Sequence, residues 1–306
     1  MAVPAASILL GLTSPTPILA LQGMVPIVLA PAWVIGAVAF RRRRWIVGAV
    51  CGVLVIAQLW WIVPAATADG PPAWASGAPH FTLYSGNVRY DNDRKGDVAA
   101  ELMGVHAEVV VLNEMMPDQR ELLERAGFMQ RYSTVVASDP SGTFGEMILT
   151  SLPVLDHRVI AVGSVRVPEI TVRVGTRRVR ILVAHPRSPE AASWSDPRWE
   201  RDQAALHRVA VSEAMRGPLV IAGDFNATRW QRPFDDLLDD GFSDAHDVLG
   251  DGLSRSWGPL ELGGFGGKLI RLDHCLTTPG VTATEIGDLD LPGSDHVPFQ
   301  VTLAVR

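Results

Sequence analysis

Pro218-Leu219-Val220-Ile221-Ala222-Gly223-Asp224-Phe225-Asn226-Ala227 is a short apolar run that stops at a glycine, followed by an acid and an amide two positions apart. Such a run reads as a buried strand whose C-terminal end opens onto a turn. At strand spacing, Asp224 and Asn226 point to the same side. A carboxylate that can bind a metal or take a proton, beside an amide that can hold a water or a phosphoryl oxygen, suits phosphate chemistry. A strand-end Asp that merely caps a turn gives the same local pattern, so the flanking sequence has to decide.

The pattern repeats on both sides. Residues 81–89 alternate as a strand and carry Asn87 at its end, and 108–114 form an apolar strand closed by Glu114. Residues 170–174 and 179–184 read as a hairpin about Gly175-Thr176, and His185 follows directly. Residues 142–153 and 267–276 predict further strands, the second carrying Asp273-His274, and Gly293-Ser294-Asp295-His296 precedes a last strand at 299–305. Helices are expected over 97–104, 117–126 and 198–215. Asn87 alone would be turn chemistry, and His185 alone a satisfied structural histidine. Five strand ends bearing such groups, with the Asp295-His296 loop as a sixth, argue for one site.

Charge is unevenly placed along the 306 residues. Residues 1–63 hold no acid and four bases, Arg41 to Arg44, so a whole-chain charge of −6 leaves the remainder at about −10. An acidic domain is poorly suited to gripping long nucleic acid, whose non-specific affinity comes from Lys and Arg on phosphates. Cys51 and Cys275 form no disulfide framework and read as packing residues. The Arg166, Arg173, Arg177, Arg178 and Arg180 stripe reads as a solvated sheet face, as do Asp235-Asp236 and Asp239-Asp240 on an amphipathic helix.

Residues 45–63 contain no charge, and Gln58 is their one strongly polar side chain. As a helix that run is roughly 28 Å long at 1.5 Å per residue, close to a bilayer's hydrocarbon thickness. A second apolar run, 18–40, is interrupted by Pro26 and Pro31, and 5–12 offers a third, partial one before Thr13-Ser14-Pro15-Thr16-Pro17. Residues 1–63 are therefore expected to be a membrane anchor of two or three spans, 64–79 a Pro/Ala/Gly linker and 80–306 the globular domain. With Arg41–Arg44 on the cytoplasmic side, the domain lies outside the cell membrane. A cleaved signal peptide would leave it there too.

Gly86-Asn87-Val88, Leu112-Asn113-Glu114, Ala184-His185-Pro186, Gly223-Asp224-Phe225-Asn226, Leu272-Asp273-His274 and Ser294-Asp295-His296 occur in that order. The series resembles the endonuclease/exonuclease/phosphatase superfamily, the DNase I-like metal-dependent phosphoesterases, over residues 80–306. Asn113 departs from the Gln that commonly precedes the Glu and is expected to matter little. The resemblance implies an α/β (α+β) fold, a four-layered αββα sandwich of two mostly antiparallel sheets with the site at one end. It also implies that Glu114, helped by Asn87 and Asp295, binds Mg²⁺ or Mn²⁺. Asp224 would activate or orient the attacking water, and Asn226 would hold that water or a phosphoryl oxygen. His296, oriented by Asp273, and His185 would stabilise phosphoryl charge. His274, Cys275 and Trp257 are expected to pack or to support the site.

Anchor and domain together look like the VanJ/YafD-type membrane branch, which is associated with teicoplanin resistance. That similarity implies a lipid-linked pyrophosphate of the cell-wall cycle, undecaprenyl pyrophosphate, as substrate. Two other readings stay open to the sequence. One is an extracytoplasmic endonuclease or phospholipid phosphodiesterase, and the other a catalytically inactive membrane-bound sensor. No protein partner is inferred.

Overall fold

A computed structural model describes residues 1–13, 16–138, 145–189, 197–258 and 267–306. Part of the expected break at 13–17 and the first three residues of the strand expected at 142–153 lie outside the described residues.

Proline dictates the N-terminal pattern, because it can begin a helix but cannot donate within one. The first apolar stretches form α1 (Ala2–Leu9), α2 (Thr16–Gly23), α3 (Val25–Val28) and α4 (Pro31–Arg41), with Pro26 and Pro31 in the first turns of the last two. α5 (Trp45–Ala66) follows, the one helix among the described residues long and apolar enough to cross a membrane. The earlier run passes that test only as a pair, Pro17–Gly23 and Val25–Arg41, bent by 84°. Gln58 is satisfied inside this bundle. Its Nε2 donates to the Pro26 carbonyl at 2.9 Å, and its Oε1 accepts from the Trp33 indole at 2.7 Å, tying α5 to the break.

The segment expected as a linker is mostly exposed and touches the domain at a few points. Pro64 to Ala66 complete α5, Ala65 is fully buried and its carbonyl accepts from Gly252 N at 3.0 Å, and Gly70 N donates to Val248 O at 2.9 Å.

The domain continues through β1 (His80–Asn87), α6 (Lys95–Met103), β2 (Val109–Asn113), α7 (Pro117–Arg125), β3 (Thr134–Ala137) and β4 (Met147–Thr150). Next come β5 (Val154–Val162), β6 (Val165–Val174), β7 (Arg177–Ala184), α8 (Pro197–Ala214), β8 (Leu219–Asp224) and α9 (Arg232–Asp239). The chain closes with β9 (Ser243–Asp244), α10 (Ala245–Val248), β10 (Asp273–Thr277), β11 (Val281–Asp288) and β12 (Phe299–Val305). The strand expected over 267–276 is shorter than read. Its first half is an extended loop beside Trp257, whose carbonyl accepts from Leu269 N at 2.8 Å and whose N–H donates to the Ile270 carbonyl at 2.9 Å.

Two six-stranded sheets result, in the orders β11-β12-β1-β2-β4-β3 and β5-β6-β7-β8-β10-β9. Each is mixed, with a single parallel pair at its centre, β1–β2 in one and β7–β8 in the other. Strand period sorts the side chains. Phe81, Leu83, Val109 and Val111 face inward, in one core with Ile181, Val183 and Ile221 of the opposite sheet. Tyr84, Val110 and Leu112 face out, beneath Val98 and Leu102 of α6 and Leu123 of α7. Trp199 and Leu206 of α8 and Phe234 of α9 cover the other outer face. The four-layered α/β sandwich expected from sequence is present. Both cysteines are buried and unpaired, as expected of packing residues.

Candidate active site

The inward positions of β1 and β2 continue at Asn87 and Asn113, which are register partners at the C-terminal ends of the parallel pair. Across the sandwich, Ala184 pairs with Gly223 and Asp224 with Asp273. Both central parallel pairs thus deliver their polar ends to the same edge of the inter-sheet space.

Asp224 sits at the centre of that edge, 1 % exposed. Its Oδ1 accepts from Asn226 N at 2.8 Å, and its Oδ2 accepts from Asn87 Nδ2 at 3.1 Å. The same Asn87 nitrogen donates to Glu114 Oε1 at 2.9 Å, so one amide orients two carboxylates. Glu114 is itself turned inward by a left-handed backbone, φ 58°, and Tyr90 N donates to its Oε2 at 3.0 Å. Gly223 has no alternative residue. Its φ is 141°, and a Cβ there would lie 2.2 Å from the Ala184 carbonyl.

Two imidazoles face Asp224 Oδ2, His296 Nε2 at 3.6 Å and His185 Nε2 at 3.9 Å. Each is backed by a carboxylate. His296 Nδ1 donates to Asp273 Oδ2 at 2.8 Å, and that oxygen also accepts from Ser256 Oγ at 2.6 Å. His185 Nδ1 donates to Glu146 Oε1 at 2.6 Å. Burial opposes protonation of both rings, but the carboxylates outweigh it. Asp273 and Asp224 raise His296 to about 9, and Glu146, with Asp224 and Glu114 behind it, raises His185 to about 10. Asp224 moves the other way for a carboxylate, up to about 6, because burial outweighs the attraction of His296.

All eight residues expected from sequence stand at or beside this edge. Asn87 offers the two carboxylates a donor, and its Oδ1 accepts from Arg89 N at 2.9 Å. Asn226 donates one Nδ2 hydrogen to the Pro186 carbonyl at 2.9 Å, which leaves its second N–H and its Oδ1 for a phosphoryl oxygen or a water. Asp295 lines the cavity with its Oδ2 bonded to the Trp257 indole at 3.0 Å, which gives Trp257 the supporting role expected of it. His274 lies away from the edge, bonded through Nδ1 to Asp244 at 2.6 Å.

Asn113 and Glu146 were missed. Asn113 Oδ1 accepts from Asp224 N at 3.0 Å, while its Nδ2 donates to Glu146 Oε2 and to the Ala184 carbonyl. It was dismissed as a neutral departure, but it joins the two sheets beneath the site. Glu146 lies in no motif; the one sequence signal was an acid just before an apolar strand. Arg180 also departs from expectation. It is buried and donates to the Glu213 and Gly217 carbonyls.

The donor set fits a hard divalent cation. One ligand atom from each of Glu114, His185 and Asp224 lies within 4.8 Å of the others, and a second such group joins Asp224, Asp273 and His296. Asp273 Oδ1 is buried with no hydrogen-bond partner. The site opens into a cavity of about 640 Å³ that Asp91 and Asp295 also line. So many carboxylates would repel a phosphate unless a cation and protonated imidazoles offset them.

An α/β sandwich with this edge has the architecture of a phosphoesterase. The sequence profile of the endonuclease/exonuclease/phosphatase family matches residues 84–296, and the chain belongs to that family. No curated protein matches the sequence. Among solved structures, Danio rerio TDP2 complexed with a single-strand DNA product is similar at 17 % identity, TM-score 0.61, over 74 % of this chain and 99 % of that one. The Neisseria 3′ phosphatase NExo, bound to a product DNA hairpin, aligns at 23 % identity and TM-score 0.58 over 72 % and 98 %. The human Nocturnin catalytic domain with bound sulfate aligns at 16 % and 0.57 over 74 % and 94 %. At these identities the likeness is one of fold.

Proposed function

We propose that this protein is a membrane-anchored, divalent-metal-dependent phosphoesterase that hydrolyses a lipid-linked phosphate or pyrophosphate, undecaprenyl pyrophosphate being the leading substrate, at the outer face of the membrane. The observation that carries the hydrolytic reading is Asp224, fixed by two amides and faced by two carboxylate-backed imidazoles beside Glu114. Mg²⁺ or Mn²⁺ held by Glu114 and Asp224 would supply Lewis-acid stabilisation of the phosphoryl oxygens. Asp224 takes the proton of the attacking water, whose position Asn226 Oδ1 sets. Protonated His185 and His296 stabilise charge on the phosphoryl oxygens, and Asp273 keeps the His296 ring in place.

The apolar surface supports the membrane reading. Ile46 is 83 % and Trp60 78 % exposed on α5, an arrangement that suits lipid rather than water. Ala65, at the outer end of α5, is joined directly to the domain, which keeps the site close to the headgroups. A DNA substrate finds less support. Among the described residues lining the cavity, Arg89 is the sole Arg or Lys, and it is paired with Asp91 at 2.6 Å.

One assay tests the reading. The purified full chain is offered undecaprenyl pyrophosphate, a phospholipid and DNA with Mg²⁺, with and without chelator. Chelator-sensitive phosphate release from the first alone is expected. Activity that survives Asp224→Ala or His296→Ala would refute the site. A reporter fused after Arg306 that is active only in the cytoplasm would refute the topology.

A further inference from the structure

The cavity has two chemistries. Its floor is the polar edge, Glu114, His185, Asp224 and His296, but one side is apolar: Ile270 and Leu272 with Leu19, Ala20 and Gly23 of α2. The second group of residues comes from the N-terminal apolar segment, far from the domain in sequence.

α2 is built into the site rather than resting near it. Gln231 Nε2 donates to the Leu19 carbonyl at 3.0 Å, and Gln231 is itself held by Thr228 N on its Oε1 at 2.7 Å. Leu19 is 3 % exposed and belongs to the domain core that contains Phe225 and Phe234. At Gly23 the helix comes so close that an added Cβ would lie 3.3 Å from Thr228 Cγ2 and 3.8 Å from Ile270 Cγ2. Immediately beyond Gly23 the chain turns 84° into α3 and α4. The apolar side of the cavity is therefore continuous with the apolar helices, and Ala20, which is exposed, forms part of the wall.

We propose that α2 is a tail subsite: it seats the hydrocarbon nearest the phosphate of the substrate, and Ala20 and Gly23 set the preference for lipid-borne over water-soluble phosphates. The proposal rests on the phosphoesterase reading above and adds where the lipid leaves the site. A phosphate on the polar floor with its chain in a bilayer needs an apolar route between the two, and α2 supplies one that starts at the floor and ends at the bundle. Burial of each methylene along that route favours binding about fourfold.

The test uses the full chain in detergent micelles with Mg²⁺ and two substrate pairs, five- and fifteen-carbon prenyl pyrophosphates and six- and sixteen-carbon phosphatidic acids. For the favoured pair, kcat/KM is expected to rise at least tenfold from short to long chain; which pair responds identifies the lipid class. Ala20→Glu should bring that ratio close to one, and Ala20→Val should keep it. A fifteen-carbon prenyl pyrophosphate bearing a diazirine next to the pyrophosphate should label residues 16–28. A flat chain-length dependence in the unmutated protein, or an unchanged ratio in Ala20→Glu, overturns the subsite while leaving the phosphoesterase standing. No phosphate release from any of the four overturns both.

Discussion

The side-chain oxygen of Asn113, at the end of one sheet, accepts the backbone N–H of Asp224, at the end of the other, at 3.0 Å. Asn113 is fully buried and Asp224 nearly so. This amide joins the sheets where the site lies, alongside the Asn87 Nδ2 bond to Asp224 Oδ2, and its nitrogen side holds Glu146, the carboxylate behind His185.

Replacing that amide leaves a buried donor on Asp224 and loosens Glu146 together. Asn113→Leu keeps the volume and removes all three of its bonds, to Asp224 N, Glu146 and the Ala184 carbonyl. It is expected to lower the unfolding free energy by roughly 2–4 kcal/mol, as three buried polar groups lose a partner. Denaturant titration measures this, and a loss below about 0.5 kcal/mol would show that the contact holds nothing.

Gly223 offers a sharper case. A Cβ at φ 141° and 2.2 Å from the Ala184 carbonyl meets rigid strand backbone, not a flexible side chain. Gly223→Ala should cost about 3 kcal/mol or more, because strain and a clash add. The Gly217→Ala change, at φ 122° with nothing near the new Cβ, carries the strain alone and should cost less. Equal thermal shifts for the two would contradict this account.

The sequence exposed the central strands because they are buried on both faces and read as unbroken apolar runs ending in polar groups. It hid the edges for physical reasons. β5 exposes Leu155, Asp156 and His157 in succession, so no alternation marks it. β11 has a register shift between Ala283 and Glu285 that breaks its period. The candidate site was legible where a strand end and a polar residue coincide, as at Asn87, Glu114 and Asp224. Glu146 acts through a contact with His185, 39 positions away, and no local pattern records such a pairing. The place of α2 was equally invisible, since an apolar helix beside an active site and one in a bilayer have the same composition.

Glu114 is the firmest test of the cation. Glu114→Gln keeps the shape but halves the oxygen donors of negative charge that Asn87 gathers. Mn²⁺ affinity, followed by calorimetry or by the loss of free-Mn²⁺ resonance, should fall at least tenfold, and activity at saturating substrate by about 10²–10³. Unchanged Mn²⁺ binding would move the cation to the Asp224, Asp273 and His296 group.

The pH profile follows from the same charges. His296 is raised to about 9 by Asp273 and Asp224 against the pull of burial, and Asp224 is raised to about 6 by burial. Catalysis that needs Asp224 ionised and His296 protonated is lost below about 6 and above about 9, giving a bell between them. Asp273→Asn removes the largest force raising His296, so the alkaline limb should move down toward 6.5, the ring's ordinary value, while the acid limb moves little. Stability carries the same sign. A ring whose folded value exceeds its unfolded one contributes fully below about 6.5, and that contribution is lost as pH rises through 9. Asp273→Asn should therefore cost most stability at neutral pH and little above pH 10, measured by denaturant titration at each pH. An alkaline limb that stays near 9 in Asp273→Asn would separate the limb from His296.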